Sequence, residues 1–326
     1  MFKIEGTGAA LPQRKMTTSD LERAHNLQPG ILSKKPGVHT RHVAGEETQI
    51  DLAAQAAEIA LQDAEVSLAD IDLVISACAV AYQPLPNTAA RIAQSLGFED
   101  GKVDCIDINT SCLSFLTAFD LSNSLLMTGR NERILIVSSE IASRGLPWRT
   151  DPQTAALFGD GAAAAVLTDG ESMVAGSLFR TYPAGWDICQ IASGGTRIDM
   201  DQDPDAFEIG RHFHMQGKDL YKITAQHLPG FMDQLLTDSG WAAADIDLII
   251  PHQASPLAIK HMTRALGLDP SKVIDICAKQ GNQIAASIPS ALDHARRSGF
   301  VGSGDNVLLL GTSAGFSLGA MALEIS

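Results

Sequence analysis

The seven residues Ala69-Asp70-Ile71-Asp72-Leu73-Val74-Ile75 recur almost unchanged as Ala244-Asp245-Ile246-Asp247-Leu248-Ile249-Ile250. In each copy an acidic turn leads into an apolar run with β-branched residues, which is the pattern of a buried strand. A near-identity of seven residues within one chain predicts an internal duplication. We therefore interpret the rest of the sequence as two related halves.

The elements that follow the two copies come in the same order. A proline-containing loop leads to a helix that ends at Gly97 or Gly267, and Ile106-Asp107-Ile108 is then echoed by Ile274-Asp275-Ile276. Alternating strands and helices form mostly parallel sheets covered by helices. We expect two α/β halves, residues 1–168 and 169–326, with residues 169–215 forming an insertion near the site.

Composition and charge exclude several classes of protein. The net charge is −14 over 326 residues, which argues against a nucleic-acid partner because phosphate binding needs a basic surface. Without an apolar run of about 18 residues or a signal-peptide pattern, we expect no membrane association and a cytoplasmic location. The five cysteines include no CxxC pair, which predicts free thiols, no metal and no bound cofactor.

A candidate nucleophile lies in Asp107-Ile108-Asn109-Thr110-Ser111-Cys112-Leu113-Ser114-Phe115. A predicted strand over residues 103–108 enters this stretch, and a predicted helix over residues 113–126 leaves it. Free backbone N–H groups and the positive end of the helix dipole favour an anion at such a turn. We expect Cys112 to tend toward the thiolate and to carry an acyl group. The alternative is a small, buried core cysteine.

The duplication suggests partners for Cys112. His252 follows the second copy of the repeated strand, at the carboxyl end where parallel sheets place ligands. Asn282 follows the second Ile-Asp-Ile and falls within about two positions of the Cys112 equivalent. Taken singly, His252 could be a core histidine and Asn282 a turn residue. Taken together, the repeat places all three at the junction of the halves.

Such a set of side chains suits thioester chemistry. A thiolate attacks an acyl carbonyl and holds the acyl group. Imidazole and amide N–H groups can stabilise the enolate that forms when a malonyl-type carboxylate leaves as CO₂. A plain acyl transfer to an alcohol or amine could use the same cysteine and histidine, and a non-catalytic partner subunit could retain the fold.

The chain resembles the β-ketoacyl-acyl-carrier-protein synthase III group of the thiolase superfamily. The matching motifs follow the family's order and are Asp107-Ile-Asn-Thr-Ser-Cys112, Phe158-Gly-Asp-Gly-Ala162, Pro251-His252-Gln253-Ala254 and Gly281-Asn282-Gln-Ile-Ala-Ala-Ser287-Ile-Pro289. The resemblance implies a thiolase-like α/β fold, a duplicated αβαβα five-layer sandwich, and a homodimer. It also implies a decarboxylative Claisen condensation, as in fatty-acid or polyketide-like biosynthesis.

The resemblance assigns roles to individual residues. It implies that Cys112, His252 and Asn282 are catalytic, and that the amides of Cys112 and Ala314 form an oxyanion hole. Further residues are assigned to the acyl pocket: Leu85, Tyr221 and Phe316. Leu85 stands where the family often has a gating phenylalanine, so we hypothesise room for a longer acyl chain; preferred priming by an acetyl over an octanoyl thioester would refute this.

Other positions depart from the family and bear on how substrate is delivered. Ile31 and Lys35 stand where acetyl-CoA-primed members stack adenine, and Ser255 and Leu257 replace an asparagine and an arginine that contact the donor. The substrates are acyl-CoA or acyl-carrier-protein thioesters, and which of them primes Cys112 stays open. A basic patch for an acidic carrier is expected from three further residues: Lys222, Lys260 and Arg264. A solvated helix face is the alternative.

Overall fold

The computed structural model describes residues 1–32 and 37–326; Lys35, expected at the adenine position, lies outside them. The strands are β1 (Phe2–Ala10), β2 (Lys15–Thr17), β3 (Thr40–His42), β4 (Leu73–Ser76), β5 (Asp104–Asp107), β6 (Arg133–Glu140), β7 (Gly161–Thr181), β8 (Cys189–Gln190), β9 (His214–Met215), β10 (Leu248–Pro251), β11 (Asn306–Ser313) and β12 (Ser317–Glu324). The helices are α1 (Thr18–Ala24), α2 (Gln49–Ala64), α3 (Thr88–Leu96), α4 (Ser114–Met127), α5 (Pro152–Ala155), α6 (Pro204–Gly210), α7 (Gly217–Ser239), α8 (Pro256–Ala265), α9 (Cys277–Gln280) and α10 (Ser287–Arg297). Among the described helices, none has the length and apolar character needed to cross a membrane.

The strand pairing repeats between the halves. In the first half β4 is parallel to β5 and β6, β6 is antiparallel to β7, and β7 is antiparallel to β1. In the second half β10 is parallel to β11, β11 is antiparallel to β12, and β12 is antiparallel to β7. The second-half counterpart of β5 is reduced to a single parallel bridge, from Val273 to Ile249 of β10. The two halves thus share one topology.

Strand β7 belongs to both halves, and it corrects the expectation that residues 169–215 form an insertion. Its first part pairs with β1 and β6, and its continuation from Met173 to Thr181 pairs with β12. Residues 169–181 are therefore largely strand, and any insertion can begin only after Thr181. The glycines and acids at the start of this segment predict a loop, but the backbone pairing with β12 keeps it extended.

Each sheet is buried on both faces, which produces the expected five layers. Along β4, Leu73 and Ile75 face a central core while Val74 faces an outer core. The central core holds side chains of α4 and α10, such as Phe119 and Leu292. One outer core is covered by α2 and α3, and the other by α7 and α8. Continuous apolar strands follow from this double burial.

Helix α2 lies directly on the backbone of β1. A Cβ atom added at Gly8 would collide with the carbonyl oxygen of Ala56, and one at Gly6 with that of Ala60. Both contacts are with backbone, which cannot move aside as a flexible side chain could. Glycine in β1 and alanine in α2 therefore set how closely the first outer layer approaches its sheet.

We predict that Gly8→Ala lowers the free energy of unfolding by about 1–3 kcal/mol, because an added methyl group overpacks the interface between β1 and α2. Gly230→Ala is the matched control, since Gly230 lies within α7 with open space around it. Alanine there should be neutral or stabilise by up to about 1 kcal/mol. Urea unfolding followed by circular dichroism measures both, and equal midpoints for the two variants would contradict the prediction.

Candidate active site

Cys112 lies in a tight turn between β5 and α4. Ser111–Leu113 forms a 3₁₀ turn immediately before the helix. Ser111 has a φ of 54°, in the left-handed region, and its N–H donates to Oδ1 of Asn109 at 2.9 Å. This bond stabilises a backbone conformation that serine seldom adopts. The strand-to-helix position expected for Cys112 is confirmed.

The expected thiolate is not found. Burial above all, with the neighbouring Cys189 and Glu140 contributing, raises the pKa of the Cys112 thiol to about 12. The N–H groups of Ala314 and of Cys112 itself face the sulfur and lower the pKa, but they do not offset the loss of solvent. In the unacylated site Cys112 is therefore a thiol at pH 7.

The second half builds the same turn around Asn282. Ile284 has a φ of 52°, its N–H donates to Oδ1 of Asn282 at 2.8 Å, and the 3₁₀ turn Ile284–Ala286 leads into α10. Asn282 is thus the equivalent of Asn109, and Ala285 is the equivalent of Cys112. The sequence placed the Cys112 equivalent about two positions from Asn282; the structure places it three positions after Asn282, because α9 lengthens the segment before the second turn.

The backbone around Asn282 is tied to the Phe158-Gly159 segment. The N–H of Asn282 donates to the Leu157 carbonyl at 2.8 Å, and the N–H of Gly159 donates to the Asn282 carbonyl at 3.1 Å. Gly281 has a φ of 73°, and a Cβ there would lie 2.9 Å from the backbone of Gly159. With Oδ1 already bonded, the Nδ2 group of Asn282 has no protein acceptor within the described chain and remains a donor.

His252 follows β10 directly, as the sequence predicts. Its N–H donates to the Leu310 carbonyl at 2.7 Å, and the ring is buried with Nδ1 2.6 Å from the hydroxyl of Ser287. That hydroxyl accepts the N–H of Gln253 at 3.3 Å, and Nδ1 is its one acceptor among the described residues. Ser287 therefore donates to Nδ1, which places the ring proton on Nε2.

The imidazole is neutral. Burial lowers the pKa of His252 to about 4, because a charged ring loses its solvation in the closed site. At pH 7 the ring presents an Nε2–H donor and no basic nitrogen, since Nδ1 is occupied by Ser287. His252 is consequently suited to donate a hydrogen bond and poorly suited to remove a proton.

Three segments bring these groups together. Gly311 separates His252 from Leu113, the neighbour of Cys112: a Cβ at Gly311 would lie 3.0 Å from Cβ of His252 and 2.9 Å from Cδ2 of Leu113. The turn that carries Cys112 packs on the turn after Asn282. The Ala314 N–H completes the group by facing the Cys112 sulfur.

The side chain of Gln253 anchors this arrangement. It donates from Nε2 to the carbonyls of Pro251 and Ile274, at 2.8 and 3.1 Å, and Oε1 accepts the N–H groups of Ile276 and Cys277. These four bonds satisfy a fully buried amide. They hold the end of β10, and with it His252, against the segment that leads toward Asn282.

The residues expected in the acyl pocket lie in different environments. Leu85 is 84% exposed and Tyr221 is 57% exposed, where its ring meets His261 edge-on. Phe316 is buried in the outer core under α7, 5.4 Å from the ring of Tyr182. The assignment of Leu85, Tyr221 and Phe316 to an acyl pocket stays a prediction.

The three cations of the expected basic patch share one surface. Lys260 and Arg264 are exposed on α8, and Lys222 is exposed on α7 beside Tyr221, which contacts α8. Lys222 is also bonded to Asp219 at 3.1 Å, so its charge is partly compensated. Lys260 and Arg264 form no salt bridge among the described residues.

The positions that depart from the family's CoA site are used structurally. Ile31 packs with Leu32 and Trp148 in a small core cluster. The hydroxyl of Ser255 accepts the N–H of Ala258 at 3.0 Å and thereby caps α8. Leu257 is 52% exposed. The geometry thus gives Ile31 and Ser255 roles in packing and capping.

Three further residues near the site have no role in the sequence analysis. Ser287 fixes the tautomer of His252. Glu140 is a buried carboxyl beside the Cys112 turn, and Cys189 is a buried thiol that raises the pKa of Cys112. The repeat could have identified Ser287, because Ser114 holds the same place after the first turn. Nothing local in the sequence indicates the other two, since they approach only through folding.

Two pairs of donors result from this geometry. The N–H groups of Cys112 and Ala314 flank the sulfur, and Nε2–H of His252 and Nδ2–H of Asn282 form the second pair. A reaction with two thioester carbonyls needs two such pairs. Among the described residues no cluster of three or more His, Cys, Asp or Glu side chains could hold a metal ion.

Known proteins share this sequence and fold. Residues 106–182 match the family described as 3-Oxoacyl-[acyl-carrier-protein (ACP)] synthase III, and residues 236–325 match its C-terminal region. The chain is 33% identical to a beta-ketoacyl-[acyl-carrier-protein] synthase III of Neisseria meningitidis, over 99% of this chain and 98% of the relative. It is 34% identical to synthase III 3 of Streptomyces coelicolor, over 98% and 96% of the two chains.

A solved structure agrees with the sequence comparison. The 3-oxoacyl-[acyl-carrier-protein] synthase III of Aquifex aeolicus superposes with a TM-score of 0.88 at 28% identity, covering 99% of this chain and all of the other. Similarity over the full length, the duplicated fold and the paired donors around one cysteine agree. The chain therefore belongs to the β-ketoacyl-acyl-carrier-protein synthase III family.

Proposed function

We propose that this enzyme condenses an acyl group held on Cys112 with a malonyl-type thioester, with His252 and Asn282 stabilising the enolate. The observation that carries the proposal is the pair of neutral donors, Nε2–H of His252 and Nδ2–H of Asn282, which the hydrogen bonds of Ser287 and Ile284 define. The printed names of the relatives, which are acyl-carrier-protein synthases, support the same substrate class.

The first half-reaction loads Cys112. Its sulfur attacks the carbonyl of an acyl thioester, the negative oxygen is bound by the N–H groups of Cys112 and Ala314, and the donor's C–S bond breaks. The thiol proton ends on the departing thiolate, so no net base is consumed. Burial holds Cys112 protonated. Before substrate enters, little free thiolate is therefore present to react with electrophiles from solvent.

The second half-reaction forms the carbon–carbon bond. The bond from the malonyl α-carbon to its carboxylate breaks, CO₂ leaves, and the electron pair forms an enolate whose oxygen receives hydrogen bonds from His252 and Asn282. The α-carbon then attacks the acyl carbonyl, the Cys112 sulfur leaves as a thiolate, and a proton from water restores the thiol. Loss of an oxyanion donor costs about 3–4 kcal/mol of barrier.

The state of His252 favours condensation over plain acyl transfer. Transfer to an alcohol or amine needs a general base to remove a proton from the nucleophile. A ring whose pKa is lowered to about 4 by burial, and whose Nδ1 accepts from Ser287, offers no such base at pH 7. An enolate oxygen is stabilised by hydrogen-bond donors. The enolate itself forms by loss of CO₂, so no nucleophile has to be deprotonated.

We propose that the substrates arrive on a carrier protein at the face formed by Lys222, Lys260 and Arg264. An acidic carrier would be attracted to these exposed cations despite the net charge of −14. The use of Ser255 as a helix cap and of Ile31 in packing supports a carrier thioester rather than CoA as the primer.

We further propose a homodimer in a cytoplasmic setting. Strand β5 is at the end of the strand order, so its outer edge pairs with no other described strand. Leu121 borders a groove with Cys105 and Ile106 beside that edge. Unpaired edges favour pairing with another chain. Five free cysteines suit a reducing compartment. A mass of one 34.5 kDa chain by light scattering would contradict the dimer.

Wild-type protein with an acyl thioester should gain the mass of the acyl group, and added malonyl thioester should release CO₂ and a 3-oxoacyl product. Cys112→Ala should show no adduct and no condensation, because the nucleophile is absent. Ser303→Ala, at an exposed turn position, is the control and should behave as wild type. Adduct formation without CO₂ release from any extender would refute condensation.

Ser287→Ala should lower the rate of CO₂ release about tenfold to a hundredfold, because the imidazole loses the bond that places its proton on Nε2. Acylation of Cys112 should change less than about twofold, and Ser287→Thr, which keeps the hydroxyl, should restore much of the rate. Ser290→Ala is the control, since Ser290 lies in the same helix and its buried hydroxyl has no hydrogen-bond partner among the residues that the structure describes. Equal losses in both half-reactions would contradict a role through His252.

The double variant Lys260→Glu, Arg264→Glu should raise the KM for a carrier-bound malonyl group about tenfold, because it reverses the charge that attracts an acidic carrier. The KM for a small malonyl thioester without a carrier should not change. Lys3→Glu, at an exposed position of β1, controls for net charge. Equal effects on carrier-bound and small substrates would exclude this docking face.

A further inference from the structure

Glu140 is a buried carboxyl at the carboxyl end of β6. It is 1% exposed and pairs across the sheet with Gly161. The end of β6 lies beside the end of β4, on the edge where the Cys112 and Asn282 turns meet. No salt bridge involves it among the described residues, so its charge is balanced by hydrogen bonds alone. A buried acid without a cation partner is costly unless its oxygens are fully bonded.

The carboxyl of Glu140 is hydrogen-bonded to a loop of the first half and faces a turn of the second half that packs on β6. The Ala79 N–H donates to Oε1 at 2.5 Å, and the N–H groups of Val80 and Ala285 also face the carboxyl and lower its pKa. Ala79 and Val80 lie in the loop after β4 in the first half. Ala285 lies in the turn that Asn282 shapes in the second half. One side chain therefore spans the junction between the repeats.

Three N–H donors require acceptor lone pairs on both oxygens of the carboxyl. An ionised carboxylate offers these, whereas a protonated acid or an amide replaces one acceptor by a donor that would face a backbone N–H. The ionised form, which predominates above the pKa of about 8, can therefore accept all three N–H groups, while the protonated form keeps fewer acceptor lone pairs. Glutamine in this place would keep the length of the side chain and lose part of the anchorage.

The same carboxylate acts on the nucleophile through space. The titratable groups that face it are Asp160, Cys78 and Cys112, all of them neutral or negative. Burial raises the pKa of Glu140 to about 8, with Asp160 adding to the rise. Above that pH its charge opposes ionisation of the Cys112 thiol, and below it the opposition fades.

We propose that Glu140 is a positioning residue for the condensation half-reaction, which holds the Asn282 turn of one half against the loop after β4 of the other. The inference rests on the proposed function, because Asn282 matters here as an enolate donor. Displacing Ala285 moves the base of the Asn282 turn, and a shift of about 1 Å at a catalytic donor can cost a hundredfold in rate. Loading of Cys112 depends on the amides of Cys112 and Ala314, which Glu140 does not bind.

The test compares Glu140→Gln with Glu140→Asp in the full-length enzyme. Glutamine keeps the length and removes the charge; aspartate keeps the charge and shortens the reach. At pH 9, where the wild-type carboxyl is ionised, both should lower CO₂ release from a malonyl thioester about tenfold or more, while acylation of Cys112 by an acyl thioester should not be lowered. Glu58→Gln, an exposed change on α2, is the control and should match wild type.

Alkylation of Cys112 separates this role from a merely structural one. Iodoacetamide should modify Cys112 of Glu140→Gln at least about threefold faster than wild type at pH 9, because a like charge has been removed. The two rates should converge at pH 6.5, where the wild-type carboxyl is protonated. Glu140→Asp should stay near wild type at both pH values. Peptide mass spectrometry assigns the modified cysteine.

Particular results would overturn the inference. Equal losses of acylation and CO₂ release in Glu140→Gln, with unchanged alkylation at pH 9, would reduce Glu140 to a structural residue. If Glu140→Gln does not fold, Glu140→Asp decides, and wild-type CO₂ release in that variant would refute the proposal. Wild-type enzyme without CO₂ release would instead refute the proposed function, so the two failures are distinguishable.

Discussion

The structure depends on one turn that is built twice. In each half an asparagine side chain accepts the N–H of a left-handed residue two positions later, and a 3₁₀ turn then leads into a central helix. Packing these two turns together at the junction brings Cys112 from one half to Asn282 from the other. The same asparagine position has a different use in each copy, since Asn109 supports the nucleophile's turn and Asn282 is proposed to donate to substrate.

Burial sets the protonation of the site. Loss of solvent raises the pKa of the Cys112 thiol to about 12 and lowers that of His252 to about 4, so both are neutral at pH 7. A neutral thiol and a neutral imidazole form no ion pair of the kind that cysteine proteases use. The reaction that suits them is one in which charge develops on substrate oxygens and is met by fixed N–H groups.

Much of the fold was predictable because the duplication is still visible. Two copies of one strand, with matching helices and turns after them, indicate a repeated α/β arrangement. They also predict that the candidate site lies where the two halves meet. The prediction failed where local composition and long-range pairing disagree: residues after Asp169 resemble a loop, yet pairing with β12 extends β7 to Thr181. The thiolate was wrong for a similar reason, since a helix end favours an anion only where burial does not outweigh it.

The sequence by itself determined the family and pointed to a candidate nucleophile and its two candidate partners, because motifs and repeat order are properties of the chain. The tertiary structure decided which proton each partner carries. The hydrogen bond from Ser287 makes His252 a donor at Nε2, and the Ile284 N–H makes Asn282 a donor at Nδ2. It also brought Glu140 to Ala79 and Ala285. These hydrogen bonds join residues that are far apart in sequence. The burial that shifts the pKa values of the site residues exists only once the folded core surrounds them.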